Sequence, residues 1–186
     1  IAAQGIFSHG GQICMANSRL VVERPLAVQF IAELKRAAES IHLGDLRDER
    51  SGYGPLINRA AVDKVLAHVS QAVAAGAELV TGGAIASGLT VRPTVLLNPP
   101  RDAAVWREES FGPVASVVVV DSLEEAIAVA NDSEYGLSAA VLTFAHTLGE
   151  FGVVLMVGGS IPGETKTVAI AIYDRVQGFD MAGAGL

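Results

Sequence analysis

Apolar residues along this chain alternate between two periods. Residues 1–18 read as a helix-like segment broken at Gly10-Gly11, and RLVVE, Arg19–Glu23, then has the β-branched density of a buried strand. Over residues 25–40 the apolar positions Leu26, Phe30, Ile31, Leu34 and Ala38 fall at helical spacing, with Pro25 suited to the first turn. Residues 42–59 mix charges with Gly44, Gly52, Gly54 and Pro55 and keep no period, which predicts a surface loop. Asn58 stands where a second long helix needs its cap: Val62, Val65, Leu66, Val69, Ala72 and Val73 form one face up to Ala75, and Gly76 suits the stop. The strand AELVTGG follows. Further strands are predicted over residues 91–97 and Val114–Val120, then a helix with Leu123, Ala126, Ile127 and Ala130 on one face as far as Asn131. After a turn at Tyr135-Gly136 comes a last clear strand, SAAVLTF. Strands that alternate with helices imply crossover connections, so the predicted class is α/β: a mainly parallel sheet with flanking helices. The glycine-rich final forty residues show no helical period. Their apolar runs VVLMV and TVAIAIY, joined by GGSIPGETK, fit either two strands or poor order.

Composition agrees with a covered sheet. The 186 residues suffice for one well-buried domain, and 51% are hydrophobic against 18% charged, with a mean hydropathy of +0.42. A net charge of -7 and the lack of any basic run oppose contact with a phosphate backbone, so nucleic acid is not an expected partner. No apolar run approaches the ~18 residues that cross a bilayer, which argues against a membrane partner too. One cysteine forms no internal disulfide and no basic-then-apolar leader opens the chain, so a cytoplasmic setting is expected. The abrupt opening at Ile1 suggests a piece of something longer.

Cys14 is the residue with chemistry to explain. A small buried thiol is one reading. The other is a nucleophile, because Gly10 and Gly11 let the backbone come close to a ligand and exposed N–H groups after such a turn hold thiolate and oxyanion. His9 lies near the thiol and reads as a wall residue rather than a base. The four histidines, at positions 9, 42, 68 and 146, share no ligand spacing, so no metal site is predicted. GGSIPG has the glycines of a phosphate loop but Glu164-Thr165 where a lysine must stand, and Asn131-Asp132-Ser133 reads as a turn rather than a glycan acceptor.

Phe7, Gly11-Gln12, Cys14, Ala16 and Arg19 together match the pattern F-x-x-x-G-Q-x-C-x-A-x-x-R, and so resemble the active-site signature of the aldehyde dehydrogenase superfamily. Residues 108–114, EESFGPV, are similar to that family's E-E-x-F-G-P-V segment, and residues 131–137, NDSEYGL, to its N-x-x-x-Y-G-L turn. The three follow in the family's order. The resemblance implies an enzyme in which the Cys14 thiolate attacks an aldehyde, the hemithioacetal gives hydride to NAD or NADP, and water releases the acid from a thioester. It further implies that the Cys14 backbone N–H serves the oxyanion, Glu109 holds the nicotinamide ribose and Phe111 packs on the nicotinamide. Each has a plainer alternative: a solvated carboxylate for Glu109, core packing for Phe111. GQICM and the VVERP strand most resemble the bacterial dehydrogenases of aromatic aldehydes such as salicylaldehyde or benzaldehyde.

The resemblance covers residues 1–143, read as a partial catalytic domain, and residues 144–186 depart from the family pattern. A shifted reading frame or an alternative terminus is the expected cause. The family's glutamate base, oxyanion amide and nucleotide-binding domain all precede the cysteine and lie outside this sequence, so this piece is expected to be inactive or nearly so by itself. A small-molecule aldehyde and a homo-oligomer are the partners implied. The alternatives are a cofactor-free thiol esterase and a non-catalytic truncated domain.

Overall fold

Helix formation begins at once and stops early. Ala2–Phe7 forms α1, and a single 3-10 turn at Ser8–Gly11 ends it. His9, Gly10 and Gly11 there take φ of 55°, 64° and 71°, so the break expected at Gly10-Gly11 starts one residue sooner. A computed structural model of the chain describes residues 2–135, 138–143 and 153–158, in two compact units that divide between Ser133 and Glu134.

In the first unit β1 is Arg19–Glu23, and α2, Arg24–Glu39, has Pro25 in its first turn and buries Ala27, Leu34 and Ala38. The loop after it is exposed over most of its length but buries Tyr53 and Leu56. Asn58 then starts α3, Arg59–Ala74: its side-chain oxygen accepts from the Ala61 N–H at 2.8 Å. Helix α3 ends as predicted, with Gly76 at φ 107° just beyond it. The strand β2 is Glu78–Thr81.

The single strand predicted over residues 91–97 is two. Ile85–Ser87 (β3) and Thr90–Val91 (β4) make a small antiparallel pair, and β5, Thr94–Leu97, belongs to the main sheet. Arg92-Pro93 separates them, since proline has no N–H for a ladder. Ala104–Arg107 forms a short helix, α4, with too few residues to show a period. Strand β6 is Val114–Val120, and α5, Leu123–Asn131, is capped by the Ser122 hydroxyl, which accepts from the Glu125 N–H at 3.2 Å.

The main sheet runs β1-β6-β5-β2. Strands β1, β6 and β5 are parallel, with Arg19 opposite Ser116 and Thr94 opposite Val114, while β2 pairs antiparallel at the edge. One set of core residues links α1 and α2 to Val95, Ala115 and Val117; another links α3 to Val91, Leu96 and Val114. Alternate residues of β5 and β6 therefore bury into opposite layers, which is why Val114–Val120 is apolar almost throughout. The chain is α/β with a mainly parallel sheet, as expected.

In the second unit Ser138–Thr143 (β7) pairs antiparallel with Val153–Gly158 (β8). VVLMV is thus a strand, ending at Gly158; TVAIAIY and residues 159–166 lie outside the described residues.

Candidate active site

The register of β1 and β6 determines which loops meet. Arg19 lies opposite Ser116, Cys14 stands five residues before the first and Phe111 five before the second, so both enter at the amino ends of neighbouring parallel strands. Ligands of open α/β sheets more often sit at the carboxyl ends. Here the chemistry-bearing residues gather at the other end.

Cys14 occupies a turn closed by the Ala16 N–H donating to the Ile13 carbonyl at 3.0 Å, and its thiol is exposed. Phe7, 2% exposed, anchors the preceding helix in the core. The Gln12 side chain ties the turn to the loop before α3: its oxygen accepts from the Ile57 N–H at 2.9 Å, and its nitrogen donates to the Pro55 and His9 carbonyls at 3.4 Å. His9 is exposed. Gly11 packs backbone to backbone on the second motif, and a β-carbon on Gly11 would lie 2.1 Å from the Gly112 carbonyl oxygen. Only glycine fits that spacing at φ 71°.

The second motif, Glu108 to Val114, is gripped from α3. Lys64 donates to the Glu109 carbonyl at 2.5 Å, and Val65 lies where a β-carbon on Gly112 would fall, at 2.4 Å. His68 Nδ1 is 3.0 Å from the Ser110 hydroxyl and Nε2 is 3.6 Å from the Glu108 carboxylate. Burial, reinforced by the Lys64 charge and opposed by Glu108, lowers the His68 pKa from its ordinary value. Glu109 is exposed; Phe111, 41% exposed, holds a left-handed φ of 52°. Of the plainer alternatives, core packing does not describe Phe111.

Arg19, the end of the first motif, reaches the start of the third. It donates to the Asp132 carbonyl at 3.5 Å, while Arg107 makes two 2.8 Å hydrogen bonds to the Asp132 carboxylate. The Arg107 hydrogen bonds, with the charges of Arg107, Arg101 and Arg19, hold that carboxyl below the usual carboxylate range. Arg19 and Arg101 also lie over the fully buried Trp106 ring, 5.3 Å and 4.9 Å from its centroid. The turn that Asn131 opens is held by these arginines at Asp132. His68, Lys64 and Trp106 escape sequence reasoning, because His68 continues the apolar face of α3 and its partner Ser110 is 42 residues away.

The model of the family described as "Aldehyde dehydrogenase family" matches residues 1–185. The chain is 41% identical over 143 residues to the peroxisomal aminoaldehyde dehydrogenase 1 of Pisum sativum, covering 75% of this chain and 28% of that protein. It is 41% identical over 148 residues to a benzaldehyde dehydrogenase (NAD(+)) of Pseudomonas putida, covering 80% and 30%. Among solved structures, the NAD+ complex of an aldehyde dehydrogenase from Bacillus cereus superposes with a TM-score of 0.69 at 36% identity, over 73% of this chain and 28% of that one. The chain thus spans under a third of the length of these relatives.

Proposed function

Because this chain belongs to the aldehyde dehydrogenase family, we propose that it forms the cysteine-bearing part of an enzyme that oxidises an aldehyde to a carboxylic acid with NAD or NADP. Residues 1–143 are the catalytic portion in this reading. The Cys14 sulfur, exposed in its turn, adds as the thiolate to the carbonyl carbon, and the carbonyl π pair moves to oxygen to give a hemithioacetal. Held beside Glu109 and Phe111, NAD or NADP would supply the hydride acceptor for this carbon. Water then attacks the resulting thioester, releasing the acid and restoring the thiol.

The residues present fit the nicotinamide half of that cofactor. Phe111 is partly exposed on a left-handed backbone, and Glu109 is exposed and makes no ion pair among the described residues. A flat apolar ring suits packing on a nicotinamide, and an acceptor-only carboxylate suits ribose hydroxyls. The observation that carries the reading is the close approach of Gly11 to Gly112, which brings the thiol's turn beside these two residues. An aromatic aldehyde is the substrate class we favour: Met15 and Ile57 are exposed apolar side chains on the two segments that Gln12 joins, and the benzaldehyde dehydrogenase relative supports it. The same reading takes the working assembly to be a homo-oligomer.

Treating the chain with p-nitrophenyl acetate and mapping the acetyl group by mass spectrometry tests the nucleophile. Acetyl on Cys14 of the native chain, lost in Cys14→Ala, is expected; a native Cys14 that takes none refutes the mechanism. NADH formation from benzaldehyde with the same Cys14 dependence supports the dehydrogenase, whereas repeated turnover of the ester beyond one acetyl per Cys14, lost in Cys14→Ala, favours the thiol esterase.

A further inference from the structure

The reaction above makes no use of the Ser110–His68–Glu108 cluster, yet two of its three members are buried. His68 is 6% exposed and Ser110 8%, and a buried hydroxyl–imidazole pair adds little net stability over apolar groups of the same shape. The Glu108 carboxylate faces Nε2 at 3.6 Å, which favours the tautomer with the ring hydrogen on Nε2 and Nδ1 accepting from the Ser110 hydroxyl 3.0 Å away.

Lys64, Val65 and His68 lie on one face of α3, at spacings that make them neighbours. Lys64 holds the Glu109 carbonyl, His68 holds Ser110 and faces Glu108, and Val65 closes the space beside Gly112. Inside these anchors Phe111 sits at φ 52°. Bulky residues disfavour that backbone, and it persists only where its surroundings over-determine it. The anchors on α3 are the over-determination.

We propose that His68 is a positioning residue: through Ser110 and Glu108 its imidazole holds the backbone that presents Glu109 and Phe111 beside the cysteine turn. The functional side of this inference rests on reading Glu109 and Phe111 as the cofactor-facing pair. Lys64 on the same helix and Glu108 on the loop are the charged groups that face the ring. Ser110 is too enclosed to act as a second nucleophile, so its hydroxyl serves the shape of the loop.

Amide hydrogen exchange on the whole chain tests the brace, with His68→Leu, Ser110→Ala and His68→Asn compared. The Leu and Ala variants are expected to speed exchange of amides 109–112 by about tenfold or more relative to the interior of β6. Asn, whose side-chain oxygen replaces Nδ1 as an acceptor, is expected to restore protection, which a purely space-filling role would not produce. Even acceleration across α3 and β6 without rescue by Asn overturns the proposal, as does unchanged exchange at 109–112 in Ser110→Ala. If the Leu variant does not fold, the Ala variant decides. Acetylation of Cys14 in the same samples reads the nucleophile separately, so the brace and the dehydrogenase reading fail independently.

Discussion

Gly11→Ala strikes the contact on which the site depends. The added methyl would stand 2.1 Å from the Gly112 oxygen, 2.5 Å from its carbonyl carbon and 3.1 Å from the Pro113 nitrogen. A carbon and a carbonyl oxygen rest about 3.3–3.6 Å apart, so the cysteine turn and the Glu108–Val114 segment would have to separate by roughly 1.2 Å. The φ of 71° adds about 1–2 kcal/mol for a residue with a β-carbon, and forcing a methyl into a packed contact adds about 1–3 kcal/mol. Gly88→Ala is the matched control: its φ is also left-handed, at 53°, but nothing lies within 4 Å of the new carbon. Only the backbone strain applies there. Urea unfolding followed by the fluorescence of Trp106, the one tryptophan in the chain and fully buried, measures both variants. Gly11→Ala is expected to lose about 1–3 kcal/mol more than Gly88→Ala. Equal losses would mean that the two segments do not touch, and the proposed site would lose its main support.

Four further outcomes are expected. Asn58→Ala removes the acceptor for the Ala61 N–H and should cost about 1 kcal/mol in the same urea titration; no change would show that α3 starts without this cap. Arg107 keeps the Asp132 carboxyl below its ordinary 3.8, so the unfolded chain takes up that proton first and the stabilisation, present above that value, is lost as the pH falls through the folded one. Asp132→Asn should therefore be less stable than the parent near neutral pH, the two converging in strong acid. Burial lowers the His68 pKa below 6.5, so its contribution is whole above that value and declines as the pH falls toward the folded one; His68→Leu should flatten this slope. Because Glu108 opposes the shift, Glu108→Gln should move the His68 imidazole NMR titration lower still, and an upward move would contradict the 3.6 Å pairing.

Much of the fold was readable along the chain where the controlling forces act between near neighbours. β-branched density marked Arg19–Glu23 and Val114–Val120 to the residue, and Asn58 and Gly76 bracketed α3 because caps and stops act within one turn. The reading failed at residues 91–97, where an apolar run crosses Pro93 and its two halves join different sheets, and at α4, whose four residues carry no period. The residue types at the site were legible too: a thiol after glycines, a carboxylate and an aromatic ring before a strand.

Their meeting was not. Gly11 touches Gly112, Arg19 reaches Asp132 and His68 holds Ser110 across 42 to 113 residues of chain, and no local pattern spans such gaps. Periodicity, caps and side-chain chemistry belong to residues close in the chain, so a linear reading recovers them. Which strand lies beside which follows from burying the faces of α1, α2 and α3 against one sheet, and that collective choice laid β1 next to β6 and set the thiol's turn against the segment carrying Glu109 and Phe111.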